Sequence, residues 1–122
     1  MKNDPESTDP TSPSEIAGIA DAVEALLSGA ISPDEFRRRR VVMGIYPMRG
    51  GSDRYLLRVR IPLGRISPQQ LRVLAETVDR FATGGGAHLT TRQDVHIYGV
   101  EMRRIEGALS FLAESGLATR EA

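Results

Sequence analysis

Apolar residues recur at helical spacing in three stretches of the chain, and each stretch has recognisable start and stop signals. The predicted helices cover residues 14–30, 68–83 and 102–115, and Ser14 is the expected N-cap of the first. The residues expected to face a core are Ile16, Ile19, Ala20, Val23 and Leu27 in the first helix, Leu71, Leu74, Ala75, Val78 and Ala82 in the second, and Ile105, Ala108, Leu109 and Leu112 in the third. A shorter helix is predicted from Pro33 to Arg40, because Ser32-Pro33-Asp34-Glu35 has the form of a capping box.

Polar and apolar residues alternate in the segments between these helices, which predicts β-strands. Strands are expected over residues 42–48, 54–61 and 87–100, with a turn at 50–53 that makes the first two a hairpin. This order of elements predicts an α+β fold, with a small antiparallel or mixed sheet that carries helices on one face. Residues 1–13 have almost nothing to bury and are expected to form a disordered tail. The helix at 14–30 and a domain at 31–122 would follow that tail.

Arginines dominate the polar side of the predicted strands. Arg58 and Arg60 are two residues apart and should point to the same face, opposite Leu57 and Val59. The residues expected to share one side of the strand 87–100 are His88, Thr90, Arg92, Asp94, His96 and Tyr98. A guanidinium is a planar fork of donors that matches oxyanions and carboxylates, so two such strands could form a platform for an anion. The residues alone leave a second interpretation open, in which Arg58 and Arg60 are surface arginines paired with carboxylates on a neighbouring strand.

Composition narrows the classes of function. With 122 residues the chain allows one small domain, and 16 basic residues against 16 acidic ones give no argument for binding to nucleic acid or to a membrane surface. The arginine run at 37–40 lacks aromatic partners for bases, since the chain has three Phe, three Tyr and no Trp. No apolar run reaches the roughly 20 residues of a membrane helix, and the first residues do not form a secretion signal, so a cytoplasmic location is expected. There is no cysteine.

Four ordered blocks of the sequence resemble the ferredoxin-like half-domain of nitrite and sulfite reductases. The blocks run from Ser32-Pro33-Asp34-Glu35-Phe36 to Gly44-Ile45-Tyr46, then through Leu57–Gly64, Ser67–Leu71 and Leu89–Gln93. The similarity covers roughly residues 31–118, with the blocks in the family's order and near its spacing. A single Thr-x-Arg would mean little, whereas four ordered blocks form a specific signal.

The resemblance implies a role in the six-electron reduction of nitrite or sulfite at siroheme. It implies that Arg58 is the catalytic residue that reaches the substrate anion, and that the siroheme is contacted by Arg60, Thr90, Arg92, Gln93 and His96. Reductases of this family also hold a 4Fe–4S cluster through cysteines and receive electrons from ferredoxin or a flavoprotein. Because this chain has no cysteine, the cluster would belong to a cysteine-bearing remainder, and the chain alone is expected to be inactive. It would be a truncated product or one part of a split enzyme.

Two other functions remain open. The ring-contracting monooxygenase of cobalamin synthesis shares the half-domain, but it usually has glycine after Thr-x-Arg, where this chain has Gln93. A cluster-free module that binds a tetrapyrrole or a protein partner is the other alternative. The family half-domain occurs twice in one polypeptide, and no internal repeat is found here. A homodimer or a complex with a cysteine-containing partner is therefore expected to cover the exposed sheet.

Overall fold

Four helices lie on one side of a four-stranded sheet in the computed structural model, which describes residues 10–49, 53–61, 65–82, 84–90 and 94–119. The helices are α1 (Pro13–Leu27), α2 (Pro33–Val41), α3 (Pro68–Phe81) and α4 (Ile105–Glu114), and a single 3-10 turn at Met102–Arg104 leads into α4. The strands are β1 (Ile45–Pro47), β2 (Arg54–Arg60), β3 (Gly86–Leu89) and β4 (Asp94–Glu101). Their spatial order is β1-β2-β4-β3, and all neighbours are antiparallel. The predicted α+β fold with helices on one face is confirmed.

The first three helices each begin at a Ser-Pro pair. The hydroxyls of Ser12, Ser32 and Ser67 accept the backbone N–H three residues on, at 3.2, 3.1 and 3.0 Å. The N-cap of α1 is therefore Ser12 and not Ser14, because only Ser12 has both proline at the first helical position and Glu15 to complete a capping box. The capping box predicted at Ser32 is half formed.

The expected disorder up to residue 13 is wrong for residues 10–13. Thr11 is buried, and its hydroxyl accepts a hydrogen bond from the backbone N–H of Thr119 at 3.3 Å. The first helix also runs from Pro13 to Leu27 and so begins and ends earlier than expected. Residues 1–9 lie outside the described residues.

The prediction of a single strand over residues 87–100 is wrong, because the chain reverses within it. β3 and β4 form an antiparallel pair in which His88 lies opposite His96. The backbone N–H of Thr90 donates to the carbonyl of Asp94 at 3.0 Å, and the Thr90 hydroxyl donates to the Asp94 carboxylate. The three connecting residues, 91–93, lie outside the described residues. Because both arms of this hairpin keep the period of two, the alternation could not reveal the reversal.

The first predicted hairpin is confirmed in outline. β1 and β2 pair antiparallel with Ile45 opposite Leu57, and β2 has nearly its predicted bounds. Strand β1 is shorter than the predicted 42–48, because the N–H of Gly44 bonds back to the carbonyl of Val41 and continues the end of α2 as a turn. The predicted turn residues 50–52 are outside the described part of the chain.

The core lies between the sheet and the helices. The largest fully buried side chains include Leu57 and Ile97 from the sheet and Leu109 from α4, and all four residues predicted to face inward from α4 are buried. The predicted line on α3 is partly wrong, because Leu71 is 56% exposed and Ala75 is exposed as well. Thr77 takes the central buried position instead, since its hydroxyl donates to the carbonyl of Val73 at 2.6 Å and needs no further partner.

A β-bulge at Gly99 resets the alternation of β4. Leu56 pairs with Tyr98 but Tyr55 pairs with Val100, so Gly99 is the extra residue, and its φ of 98° lies in the region that favours glycine. In a regular strand without the bulge, Val100 would share a face with Tyr98, because residues two apart point to the same side. The bulge instead turns Val100 into the core and leaves Tyr98 on the opposite side of the sheet.

Candidate functional site

One face of the sheet is turned away from all of the described helices, and we call it the open face. Residues that pair across antiparallel strands lie on the same side of a sheet, so the register groups the side chains of this face into rows. The rows are Arg60, Asp94 and Thr90, then Arg58, His96 and His88, then Tyr46, Leu56 and Tyr98. The prediction that Arg58 and Arg60 point away from Leu57 and Val59 is confirmed, since both apolar residues are completely buried on the helix side.

Arg58 forms an ion pair with Asp94 at the centre of the open face. The Nε of Arg58 donates to Oδ2 of Asp94 at 2.6 Å, and the exposed fractions of the two side chains are 15% and 3%. The paired interpretation of Arg58 is therefore correct as a description of this contact. Because Asp94 binds Nε, the two terminal nitrogens of the guanidinium, which carry most of its N–H donors, do not bind this carboxylate.

Asp94 is held in its charged form by its neighbours. Burial alone would raise the pKa of this carboxyl, but the hydrogen bonds from Thr90 and Arg58 outweigh burial and hold the pKa below its usual value. The carboxylate in turn raises the pKa of Arg58 through their hydrogen bond. Thr90, one of the predicted site residues, thus lies within the described part of the site as a partner of Asp94.

The backbone of β2 is fixed on both sides at the two arginines. The N–H of Arg58 donates to the carbonyl of Gly44 at 2.8 Å, and the N–H of Arg60 donates to the carbonyl of Ala118 at 2.8 Å. Arg60 and Ala118 also form an isolated antiparallel bridge. The segment after α4 therefore pairs with β2 on the same edge as β1. Because β4 pairs with the other edge, the strand that carries both arginines is paired along both edges.

His96 lies beside the ion pair. Its Nε2 is 3.7 Å from Oδ1 of Asp94, and its side chain is 32% exposed. His88 is its cross-strand neighbour on β3. Among the described residues, no group of three or more His, Cys, Asp or Glu side chains could hold a metal ion. Two other predicted site residues, Arg92 and Gln93, lie outside the described residues, and the continuous strand expected to orient them does not exist.

The arginine run at 37–40 is largely explained by local packing. Arg38 and Arg39 pair with Glu35 at 2.8 and 2.9 Å, which is why Glu35 does not complete the capping box of α2. Arg40 donates to the carbonyl of Ile45 at 3.0 Å, and its guanidinium lies 6.0 Å from the ring centre of Tyr55. These contacts are typical of a solvated helix face that packs its stems on the domain.

Sequence reasoning missed Asp94 as the partner of Arg58. It grouped Asp94 with the other polar residues of its strand. The ion pair depends on the register of β2 against β4, which cannot be read from the sequence. The available signal was an acidic residue on one predicted strand and an arginine on another. It also missed Tyr46 on the neighbouring strand β1, whose hydroxyl makes a small contribution to raising the pKa of Arg58.

Comparison with known proteins agrees with this architecture. The family model described as nitrite/sulfite reductase ferredoxin-like half domain matches residues 46–115, and the chain belongs to this family. A ferredoxin–nitrite reductase from Leptolyngbya laminosa is 32% identical over 77 residues, which cover 63% of this chain and 15% of that protein. The sulfite reductase (NADPH) hemoprotein beta-component 2 of Klebsiella pneumoniae is 31% identical over 86 residues, which cover 70% of this chain and 14% of that protein. This chain thus corresponds to about one seventh of each relative.

A solved structure shares the fold. The Mycobacterium tuberculosis NirA protein superimposes with a TM-score of 0.65 and 20% sequence identity, over 93% of this chain and 26% of that one. No helix within the described ranges is both long and apolar enough to cross a membrane.

Proposed function

We propose that the open face is the part of a siroheme- and anion-binding site that this chain contributes to a nitrite or sulfite reductase. The observation that carries the proposal is the position of Arg58 and Arg60 on a sheet face that the described helices leave uncovered, in a chain of this half-domain family. A family whose members include ferredoxin–nitrite reductases and a sulfite reductase supports nitrite or sulfite as the substrate.

The described residues suit a polycarboxylate ligand better than a metal ion. Siroheme bears several carboxylates, and burying them requires cationic groups and hydrogen-bond donors. In the proposal Arg60, Thr90 and His96, together with Arg92 and Gln93, contact these carboxylates. Siroheme, when bound, would supply an iron centre for the reduction of nitrite or sulfite. Any cysteine ligands and the 4Fe–4S cluster would have to come from another part of the enzyme, because this chain has no cysteine.

Arg58 has the catalytic role in this proposal. A fixed guanidinium can hold an oxyanion through parallel N–H donors and stabilise the negative charge that grows on its oxygens during reduction. The hydrogen bond to Asp94 holds the side chain before any anion arrives, so little side-chain ordering remains for the binding step.

Partners follow from the same face. We infer a homodimer or a complex with a cysteine-containing chain that covers the open face, with electrons supplied by ferredoxin or a flavoprotein. Light scattering of the purified chain tests the homodimer, and a monomer at high micromolar concentration contradicts it. The cytoplasmic location expected from the sequence stays a prediction.

A cluster-free module that binds a tetrapyrrole is the second candidate. The observation that favours it is the complete lack of cysteine in the chain. The cobalamin-pathway monooxygenase has less support, because Gln93 follows Thr-x-Arg here. Reconstitution with a cysteine-bearing reductase partner separates the reductase proposal from the cluster-free module, since only the reductase proposal predicts reduction of nitrite or sulfite by the complex.

Siroheme titration of the full chain tests the proposed site. Arg92→Ala is expected to lower siroheme occupancy, because a carboxylate loses its counter-charge. Arg58→Ala should retain siroheme and weaken nitrite or sulfite binding by roughly 1.5–3 kcal/mol, the value of one charge-assisted hydrogen bond. Arg72→Ala is the matched control, because Arg72 is exposed on α3 in the helix layer. A wild-type chain that leaves the siroheme absorbance spectrum unchanged contradicts the proposal, and so do Arg58 and Arg92 variants that behave like the control.

A further inference from the structure

Asp94 is unusual among the side chains of the open face because it is almost completely buried. Its residue exposure is 2%, whereas its neighbours on this face, Arg58, Arg60 and His96, are all partly exposed. Both of its carboxylate oxygens have partners: Oδ2 accepts from Arg58 and Oδ1 accepts from the hydroxyl of Thr90. A buried carboxylate is stable only when it is paired and hydrogen-bonded, so this position is constrained by its surroundings.

The contact with Arg58 uses one particular nitrogen. Asp94 binds Nε, the single donor on the side of the guanidinium, and does not form the two-point contact with both terminal nitrogens that arginine and carboxylate often make. A guanidinium has five N–H donors, and four of them are on the terminal nitrogens. A carboxylate at Nε therefore leaves the larger part of the donor set for another acceptor.

The ion pair is also diagonal. Arg60 is the cross-strand partner of Asp94, while Arg58 is the partner of His96. The Asp94 side chain nevertheless reaches Nε of Arg58 at 2.6 Å.

Asp94 itself is fixed by Thr90, the last described residue before β4. The Thr90 N–H donates to its backbone carbonyl at 3.0 Å, and the Thr90 hydroxyl donates to its side chain. Because Thr90 holds both the backbone and the side chain of Asp94, the carboxylate has little freedom to swing aside when an anion approaches. It is therefore suited to fix the direction of Arg58.

We propose that Asp94 is a positioning residue that clamps Arg58 at Nε and so presents the terminal N–H groups as a preformed fork for an oxyanion. This inference rests on the proposed function of the open face. A carboxylate beside an arginine could instead act as a competing counter-ion that an anion must displace. The two roles predict opposite effects when the charge of Asp94 is removed.

Asparagine and alanine at position 94 separate the two roles. An asparagine oxygen can still accept from Arg58, and its amide can donate to the Thr90 hydroxyl, which is able to donate or accept. Positioning thus predicts that Asp94→Asn keeps nitrite affinity near that of the wild type, whereas Asp94→Ala weakens it about tenfold or more, the effect of losing roughly 1.4 kcal/mol. Competition predicts tighter binding in both variants.

A readout that needs no ligand tests the clamp itself. In ¹⁵N NMR spectra of the full chain, the Nε–H of Arg58 should be visible and protected from solvent exchange in the wild type and in Asp94→Asn, and lost in Asp94→Ala. Glu101→Gln is the matched control, since it removes an acidic charge from the same strand. The carboxylate of Glu101 lies 3.8 Å from the guanidinium of Arg54, so this variant should change neither the nitrite affinity nor the protection of the Arg58 Nε–H. Thr90→Val keeps the charges of Arg58 and Asp94 but removes the hydroxyl that donates to the Asp94 carboxylate, so it should reduce the protection of the Arg58 Nε–H. This variant carries the test if Asp94→Ala does not fold.

The outcomes separate this inference from the proposed function. Protection of Nε–H that survives in both Asp94→Ala and Thr90→Val overturns the clamp, and so does tighter nitrite binding in Asp94→Asn and Asp94→Ala. The wild type could instead show a protected Nε–H that is lost in Asp94→Ala, yet bind neither siroheme nor nitrite. In that case the proposed function fails while the positioning of Arg58 by Asp94 stands.

Discussion

Replacing Gly44 by alanine is expected to lower the free energy of unfolding more than the same change at any helix-end glycine. Gly44 has a φ of 74°, and a Cβ at this position would overlap the backbone oxygen of Thr119. The positive φ costs an alanine about 1–2 kcal/mol. The overlap involves backbone, which cannot rotate away as a side chain can, and forced shifts of this kind cost about 1–3 kcal/mol. The expected total is about 2–5 kcal/mol.

Two other glycines isolate the contributions. Gly29 has a φ of 81° but nothing within 4 Å of its Cβ position, so Gly29→Ala should cost only the conformational part, about 1–2 kcal/mol. Gly18 lies within α1 without a positive φ and also has nothing within 4 Å, so Gly18→Ala should stabilise the protein by up to about 1 kcal/mol through helix propensity.

Urea unfolding of the three variants and the wild type measures these differences as shifts of the midpoint at constant slope. Gly18→Ala should be the most stable variant, followed by Gly29→Ala and then Gly44→Ala. Equal losses at Gly44 and Gly29 would refute the close approach between Gly44 and Thr119. A stable Gly44→Ala protein whose Arg58 amide exchanges as slowly as in the wild type would do the same, because the Arg58 N–H donates to the Gly44 carbonyl.

Three further predictions concern pH, the core and the cluster. The pKa of Asp94 is lowered in the folded state, so its contribution to the free energy of unfolding is complete above the unfolded pKa of about 3.9 and is lost as the pH falls through the folded pKa. On acid titration, Asp94→Asn should therefore lose less free energy of unfolding than the wild type. Leu109 is 1% exposed, whereas Leu27, which was predicted to face the core, is 45% exposed. Leu109→Ala should therefore cost about 2–5 kcal/mol in thermal or urea unfolding, and Leu27→Ala less than about 1 kcal/mol. The purified chain should contain no 4Fe–4S cluster, because it has no thiolate ligand, and stoichiometric iron and sulfide in this polypeptide would contradict that.

Local chemistry made the helix starts predictable, with one instructive exception. Ser32 and Ser67 cap α2 and α3 as their Ser-Pro pairs indicate. For α1 the apolar stripe from Ile16 pointed to Ser14, although the same Ser-Pro rule pointed to Ser12. The cap geometry is decided by the three residues after the serine, so the local rule was the better guide.

The face of the arginines was predictable, but their partners were not. Arg58 and Arg60 lie opposite buried apolar residues because a period of two survives any register. The ion pair with Asp94 depends on the reversal between Thr90 and Asp94 and on the register of β2 against β4. Both are set by long-range packing, and a one-residue slip would have changed every pair. Thr77 in the core of α3 was missed for a related reason, since a satisfied hydroxyl is invisible to a pattern of apolar residues.

The hydrogen bond between Thr11 and Thr119 brings the two outer segments of the described fold to one point. A polypeptide therefore enters and leaves this unit at the same place, which is the arrangement that tolerates insertion of a domain into a longer chain or circular permutation. A short linker from Thr119 to Thr11, with new ends opened between β1 and β2, would give a chain that starts at β2 and ends at β1. The sheet order and the neighbours of Arg58 would be unchanged, since none of those contacts depends on which peptide bond is left open.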